Sequence, residues 1–205
     1  VGEAPRQRTS APERTNACSE LRDCERLAEE VIGAGIETLD AQGDLPGALA
    51  LEEQVLAARC KTLPDDHPYL QIARGNLAAT KAAIGDLRGA LALQEKVLEV
   101  HGKTLPDDHA DLQLARQNLA ATKRALGDLH GALALQEQVL AVRARTLPDE
   151  HPDLQAARQG LANIRRGLGD LPGAFALQEQ VFAVWSKNLP DDHPNLQAAR
   201  LNLAG

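Results

Sequence analysis

The chain has 205 residues, a net charge of −7 and four aromatic side chains, so its core must be built from leucine, valine and alanine. That composition favours packed helices over sheets, which prefer β-branched and aromatic residues. The acidic balance argues against a nucleic-acid surface, and no apolar run approaches the ~20 residues of a membrane span.

The first 42 residues differ from the rest of the chain. Residues 1–17 are rich in Pro, Arg, Ser and Thr and predict a flexible tail. Residues 18–42 predict a divergent helix that caps the edge of the structure that follows. Cys18, Cys24 and Cys60 have no metal-type spacing and predict no disulfide framework. We therefore expect a reducing, cytoplasmic location.

A 42-residue repeat occupies positions 43–205, with copies that start at 43, 85, 127 and 169 and a truncated last copy. The 3.6-residue spacing of apolar positions predicts two helices per copy, from Leu45 to about Leu63 and from Pro68 to about Ile84 in the first. Gly85 and Asp86 should end one helix and begin the next, because Gly suits a helix C-terminus and Asp an N-cap. Neither helix can bury its apolar face alone, so neighbouring copies must stack. The truncated last copy and the absence of methionine predict that the chain is part of a longer protein.

Each copy contains a short acidic motif with a histidine, TLPDDHP at 62–68 in the first. One turn offers few converging ligands, and the next copy lies a full repeat away, so we expect neither a metal nor a cofactor. The motif predicts a joint instead: Pro64 ends a helix, Asp65 and Asp66 favour the next N-terminus, and Pro68 fits its first turn. The histidines are predicted to make turn or inter-repeat contacts; they are His67, His109, His151 and His193.

The string DDHPYLQIARGNLA, followed by GDLRGALALQEKVL, resembles the long tetratricopeptide repeats of kinesin light chains and of many bacterial proteins. In that family the helix after D-H-P is counted as the first helix of a pair, and the helix after G-D as the second. The resemblance implies an all-α fold, a right-handed superhelical solenoid of antiparallel helix pairs. It also implies a concave groove, lined by the first helices, that binds peptides.

The groove geometry of the family implies a set of peptide-binding side chains. Carboxamides can hold an extended peptide backbone because they both donate and accept hydrogen bonds, and arginines would favour an acidic peptide. The residues are Asn76, Gln117, Asn118, Arg124, Gln159, Asn163, Arg166 and Asn202. Gly160 replaces the asparagine in the third copy and interrupts the series.

The first helices present basic residues and, from the L-Q segment onward, no acids. Arg74, Arg116, Arg158 and Arg200 could contribute to a basic strip, but we expect them to pair with Glu53, Glu95, Glu137 and Glu179 of the second helices. In the last copy Phe175, Phe182 and Trp185 replace two leucines and an Arg or His. They predict a filled terminal core, with a docking patch as the alternative.

The leading hypothesis is a protein-interaction scaffold that binds an extended, acidic peptide in the groove. One alternative is a structural module that associates end to end, and another is the regulatory repeat region of a larger bacterial signalling protein. We expect no enzymatic activity, because every candidate acid or base recurs with the repeat. The expected partners are proteins or peptides, not nucleic acid or membrane.

Overall fold

The structure is a computed structural model that describes residues 44–204; the predicted tail and capping helix lie outside this range. Its contacts divide the chain into two compact units, Val1–Leu51 and Glu52–Gly205. Within the described residues every element is an α-helix, and each is too short or too polar to cross a bilayer. The helices are α1 (Leu45–Thr62), α2 (Pro68–Ala83), α3 (Leu87–Thr104), α4 (Ala110–Ala125), α5 (Leu129–Thr146), α6 (Pro152–Gly167), α7 (Leu171–Asn188) and α8 (Pro194–Ala204).

From α2 onward each helix packs against the next one in the chain, and short turns make consecutive helices antiparallel. The first helices are α2, α4, α6 and α8, and the second helices are α1, α3, α5 and α7. In addition, α4 contacts α6 directly, so the first helices of these two adjacent repeats adjoin. The unit Glu52–Gly205 is thus a solenoid of stacked helix pairs whose core lies between neighbouring helices.

The turn from a first helix to a second helix is built as the Gly-Asp pair predicts. Gly127 has φ +85°, a left-handed conformation that favours glycine, and Gly85 and Gly169 share it. Asp128 is the N-cap of α5, and its carboxylate accepts a hydrogen bond from the Gly131 backbone N–H at 2.9 Å. A Cβ on Gly131 would lie 2.2 Å from that carboxylate, so this repeated glycine leaves room for the cap.

The turn from a second helix to a first helix has a different cap from the predicted one. His67, His109 and His151 are the N-caps of α2, α4 and α6, and Nδ1 of each accepts the backbone N–H two residues later. His193 makes the same bond at the start of α8. The prediction that Asp65 and Asp66 occupy the helix terminus was wrong. Both aspartates precede His67, and the imidazole of His67 accepts the backbone N–H of Tyr69 in their place.

The first aspartate of the motif anchors the turn to the body of the following helix. The side chain of Gln113 donates to the backbone carbonyl of Asp107, and Arg116 Nη2 lies 2.8 Å from the Asp107 carboxylate. The same two contacts recur in the other copies. They join Gln71 and Arg74 to Asp65, Gln155 and Arg158 to Asp149, and Gln197 and Arg200 to Asp191.

Replacing His109 by alanine should cost about 1 kcal/mol of stability, the typical value of an N-cap. His109→Asn should lose much less, because the asparagine oxygen can accept the same N–H. Urea denaturation of both variants checks this, with His130→Ala as the control because His130 is an exposed histidine on α5. Equal losses in the His109→Ala and His109→Asn variants would show that the imidazole is not acting as a cap.

The last two helices, α7 and α8, enclose the filled core that the aromatic residues predict, with one exception. Trp185 is buried with Val181, Val184 and Leu196, and Phe182 packs against this cluster. Phe175 is 47% exposed, so the prediction was wrong for this residue. Trp185 occupies the position that Arg59 and Arg143 hold in earlier repeats, and its ring fills the space between α7 and α8.

Candidate peptide-binding face

One face of each first helix stays open to solvent. The exposed positions of α4 include Leu114, Asn118 and Ala121, which recur every three or four residues and therefore line one side of the helix. The matching positions on α2 are also exposed, and those on α6 are exposed or half-buried. We call this surface the first-helix face; its members are Ile72, Asn76, Ala79, Leu114, Asn118, Ala121, Ala156, Gly160 and Asn163.

The side chains proposed from the sequence lie on this face or along its flank. Five are exposed: Asn76, Asn118, Arg124, Asn163 and Arg166. Three are half-buried: Gln117, Gln159 and Asn202. Among the described residues, Asn76 and Asn118 make no side-chain hydrogen bond, so both donors and acceptors of these amides are free to meet a ligand.

At Gly160, where the asparagine series is interrupted, a buried glutamine side chain occupies the space beside the backbone. The buried Gln136 side chain of α5 crosses this point and donates a hydrogen bond to the Ala157 carbonyl at 3.0 Å. A Cβ on residue 160 would lie 2.7 Å from Gln136 Nε2. In the preceding repeat the equivalent glutamine, Gln94, is buried beside a helix that carries Asn118, so the glutamine alone does not require glycine. The exposed amide of this repeat is that of Asn163, one turn later.

Two aliphatic side chains on this face were missed by the sequence analysis. Ile72 and Leu114 are 52% and 53% exposed, although each is a large apolar residue inside a helix. Each lies four residues before Asn76 or Asn118 and therefore on the same side of its helix. That spacing was the available signal, but the apolar pattern alone assigns such residues to a core.

The arginines at the centre of the first helices do not pair with the glutamates of the second helices. Arg74, Arg116, Arg158 and Arg200 bind the turn aspartates described above, so the predicted pairing was wrong. Other basic residues use the glutamates: Lys81 Nζ lies 3.0 Å from Glu53, and Arg165 lies 3.4 Å from Glu137. The hydrogen bond that Lys81 donates to the Glu53 carboxylate raises the pKa of Lys81.

Two arginines remain without an acidic partner. On the first helices within residues 44–204, every basic side chain except Arg124 and Arg166 forms an ion pair. The guanidinium of Arg166 donates only to the amide of Asn163, at 2.8 Å, and both arginines are exposed. The positive charge available to a ligand is therefore concentrated at these two positions.

The Asp107 carboxylate should make stability pH-dependent. The hydrogen bond from Arg116 holds the pKa of Asp107 below its usual value, and Arg145 adds to the effect. Because the folded pKa is below the unfolded one, the stabilisation is present above about pH 4 and is lost as the pH falls further. Thermal melts of an Asp107→Asn variant should therefore lie below those of the parent at neutral pH and converge with them under acid conditions.

The control for this experiment is Asp108→Asn, because Asp108 makes no ion pair among the described residues. Its melting temperature should stay close to that of the parent. A constant gap between the parent and Asp107→Asn across the acid range would contradict the assigned ion pair.

The acid-and-histidine turns do not assemble into a larger cluster. Within the described part of the chain, no group of three or more His, Cys, Asp or Glu side chains is placed to hold a metal ion. The histidine and the first acid of each turn are used by the cap and by the arginine contact.

Comparison with known proteins places the fold. The tetratricopeptide repeat model matches residues 37–69, 72–111, 114–153 and 154–195. The chain is similar to a candidate kinesin light chain of Podosopora anserina with nearly identical TPR-like repeats. The identity is 32%, the TM-score is 0.78, and the match covers 86% of this chain and 84% of that chain. No curated protein sequence matches significantly.

Two more distant structures share the fold alone. BtubC (BKLC) of P. vanneervenii has a TM-score of 0.73 at 19% identity, over 95% of this chain and 82% of that chain. The apo form of RapI has a TM-score of 0.72 at 8% identity, over 86% of this chain and 61% of that chain. The predicted fold class, an all-α superhelical solenoid, is confirmed, and the chain belongs to the tetratricopeptide repeat family.

Proposed function

We propose that the chain is a non-catalytic scaffold that binds an extended, acidic peptide segment along the first-helix face. Tetratricopeptide arrays serve as protein-interaction scaffolds, and the chain shares that fold. The observation that carries the peptide class is the pair of exposed arginines, Arg124 and Arg166, that have no acidic partner in the described residues.

The rest of the face supports a linear ligand. The free amides of Asn76 and Asn118 can each donate to a peptide carbonyl and accept from a peptide N–H. The small residues Ala79 and Ala121 lie on the same exposed face and leave room for a backbone to approach. Arginine binds carboxylates through paired N–H groups, so acidic side chains would gain most at Arg124 and Arg166.

The test is a selection of random dodecapeptides displayed on phage against the immobilised chain. Enriched peptides should carry acidic residues, and fluorescence anisotropy should show affinity that falls with added salt. An Arg124→Gln/Arg166→Gln double variant should bind these peptides about tenfold more weakly, the equivalent of about 1.4 kcal/mol. The matched control is Arg88→Gln, an exposed arginine on the second helix α3.

Two results would count against the proposal. One is a selection that enriches no peptide, and the other is binding that depends neither on salt nor on Arg124 and Arg166. Equal weakening by Arg88→Gln would show that net charge, rather than this face, attracts the peptide.

End-to-end association is the second candidate, and exposed apolar residues on the last two helices, α7 and α8, favour it. Leu201 is 74% exposed and stands where Gln117 and Gln159 stand in earlier repeats. Under this alternative, light scattering should show growth with protein concentration that a Leu201→Gln/Phe175→Gln variant abolishes. A concentration-independent monomer would exclude it.

A further inference from the structure

The first-helix face changes its chemistry along the array. The position of Ile72 on α2 is occupied by Leu114 on α4, but by alanine on α6 and α8. At this position the large aliphatic side chains are thus confined to α2 and α4. A bound side chain at this level of the face can bury most apolar area against these two helices. On α8 the exposed Leu201 lies on the flank instead, at the position of Gln117 and Gln159.

The unpaired positive charge has the opposite distribution. The position of Arg124 on α4 and Arg166 on α6 is Ala82 on α2. The aliphatic and basic stretches therefore overlap only on α4. One end of the face offers apolar contacts, and the other offers carboxylate-binding groups.

We infer that the ligand is a linear segment with two aliphatic side chains followed in space by a carboxylate, bound in a single orientation. This inference rests on the proposed function and deepens it. The aliphatic side chains contact Ile72 and Leu114, and the carboxylate contacts Arg166. In the opposite orientation the carboxylate would lie on the apolar surface, and the aliphatic side chains would lie beside the two arginines. Neither group would then have a matching contact.

The spacing of the helices sets the spacing of the ligand side chains. Packed helices lie about 8–10 Å apart. A polyproline II segment rises about 3.1 Å per residue with three residues per turn, so every third side chain points the same way at intervals of about 9 Å. The two aliphatic residues of the ligand are therefore three positions apart. Arg166 lies ten residues further along α6 than Ala156, the equivalent of Leu114, which adds about 15 Å along the helix axis. The acidic residue is therefore expected about six positions beyond the second aliphatic residue. The backbone groups of such a segment are free of internal hydrogen bonds and available to Asn76 and Asn118.

The experiment uses the 205-residue chain and a synthetic peptide with the pattern Leu-x-x-Leu-x-x-x-x-x-Glu, where x is a small polar residue or proline. Its relatives carry Glu→Gln, Leu→Ala at the second leucine, shifted spacing, or the reversed order Glu-x-x-x-x-x-Leu-x-x-Leu. Affinities are measured for the parent chain and for Leu114→Ala and Arg166→Gln variants. Because peptide direction is unassigned, the pattern and its reverse are the two orientations to be compared.

For the order that binds more tightly, we expect the effect of each peptide substitution to depend on one residue of the protein. Glu→Gln should weaken binding to the parent about tenfold but should have little further effect on Arg166→Gln. Leu→Ala should weaken binding to the parent and to Arg166→Gln, but should have little further effect on Leu114→Ala. The reversed order and the shifted spacing should each bind about tenfold more weakly.

The outcomes separate this inference from the proposed function. The inference fails if both orders or both spacings bind equally, or if the effects of the peptide and protein substitutions are independent. The proposed function still stands in these cases if selected acidic peptides bind through Arg124 and Arg166. If neither the designed nor any selected peptide binds, both fail.

Discussion

Replacing Leu112 by alanine should lower the free energy of unfolding by about 2–5 kcal/mol, whereas Leu114→Ala should change it by no more than about 0.5 kcal/mol. Both leucines lie on α4, two residues apart, so helix propensity is the same in the two experiments. Leu112 is 2% exposed and Leu114 is 53% exposed. Only the first substitution leaves a cavity between packed helices.

Guanidinium denaturation followed by circular dichroism measures the difference. Peptide binding should show the reverse order, with Leu114→Ala weakening the affinity and the folded Leu112→Ala protein retaining it. A large loss of stability in Leu114→Ala would mean that this leucine is packed against another part of the chain, and the first-helix face would then not be open.

Replacing Arg143 by histidine should lower the free energy of unfolding by about 1–3 kcal/mol, the second-largest effect that we expect. Arg143 is buried on α5, and its Nη1 donates to the Asp153 carbonyl in the first turn of α6 at 2.9 Å. Burial lowers the pKa of Arg143 because removing the charge from water costs free energy. The hydrogen bond to the Asp153 carbonyl offsets part of that cost. Histidine is too short to span the same gap and would leave the carbonyl without its partner.

The preceding repeat already contains that substitution. His101 holds the equivalent position on α3, and its Nδ1 is buried without a hydrogen-bond partner. His101→Arg should let the new side chain reach the Asp111 carbonyl at the start of α4 and raise the stability by about 1 kcal/mol.

The same denaturation assay compares both variants, with Arg88→His as an exposed control. The double variant His101→Arg/Arg143→His should lie between the two single variants. A destabilised His101→Arg protein would show that the joint between α3 and α4 has no room for an arginine and that histidine is the better fit there.

The positions of the helices could be predicted because they depend on local chemistry. The predicted helix limits near Leu63 and Ile84 lie within a residue of the ends of α1 and α2. Glycine at positive φ and aspartate at an N-cap act through the backbone within a few residues, so a sequence pattern is enough to identify them. The 42-residue repeat then requires the same pair of helices in every copy, and stacking follows from their apolar faces.

The partners of the charged side chains were decided by the tertiary structure. From the sequence, Arg116 was expected to pair with a glutamate of a second helix, because the arginines and these glutamates recur with the same period. The path of the turn brings Asp107 next to Arg116, which leaves the glutamates to other cations such as Lys81 and Arg165. The repeat period gives the positions of the charged residues along the chain but not the distances between their side chains.

The exposure of the candidate face was likewise a property of the packed array. Leu112 and Leu114 are both leucines of the same helix, and hydrophobicity alone would assign both to the core. The neighbouring helices cover the side of α4 that carries Leu112 and leave the side with Leu114 and Asn118 open. The sequence by itself determined the repeat, the helices and the Gly-Asp turns, because these depend on interactions between near neighbours. Which leucines face solvent and which arginines remain unpaired depended on contacts between helices, and those distances exist only in the folded chain.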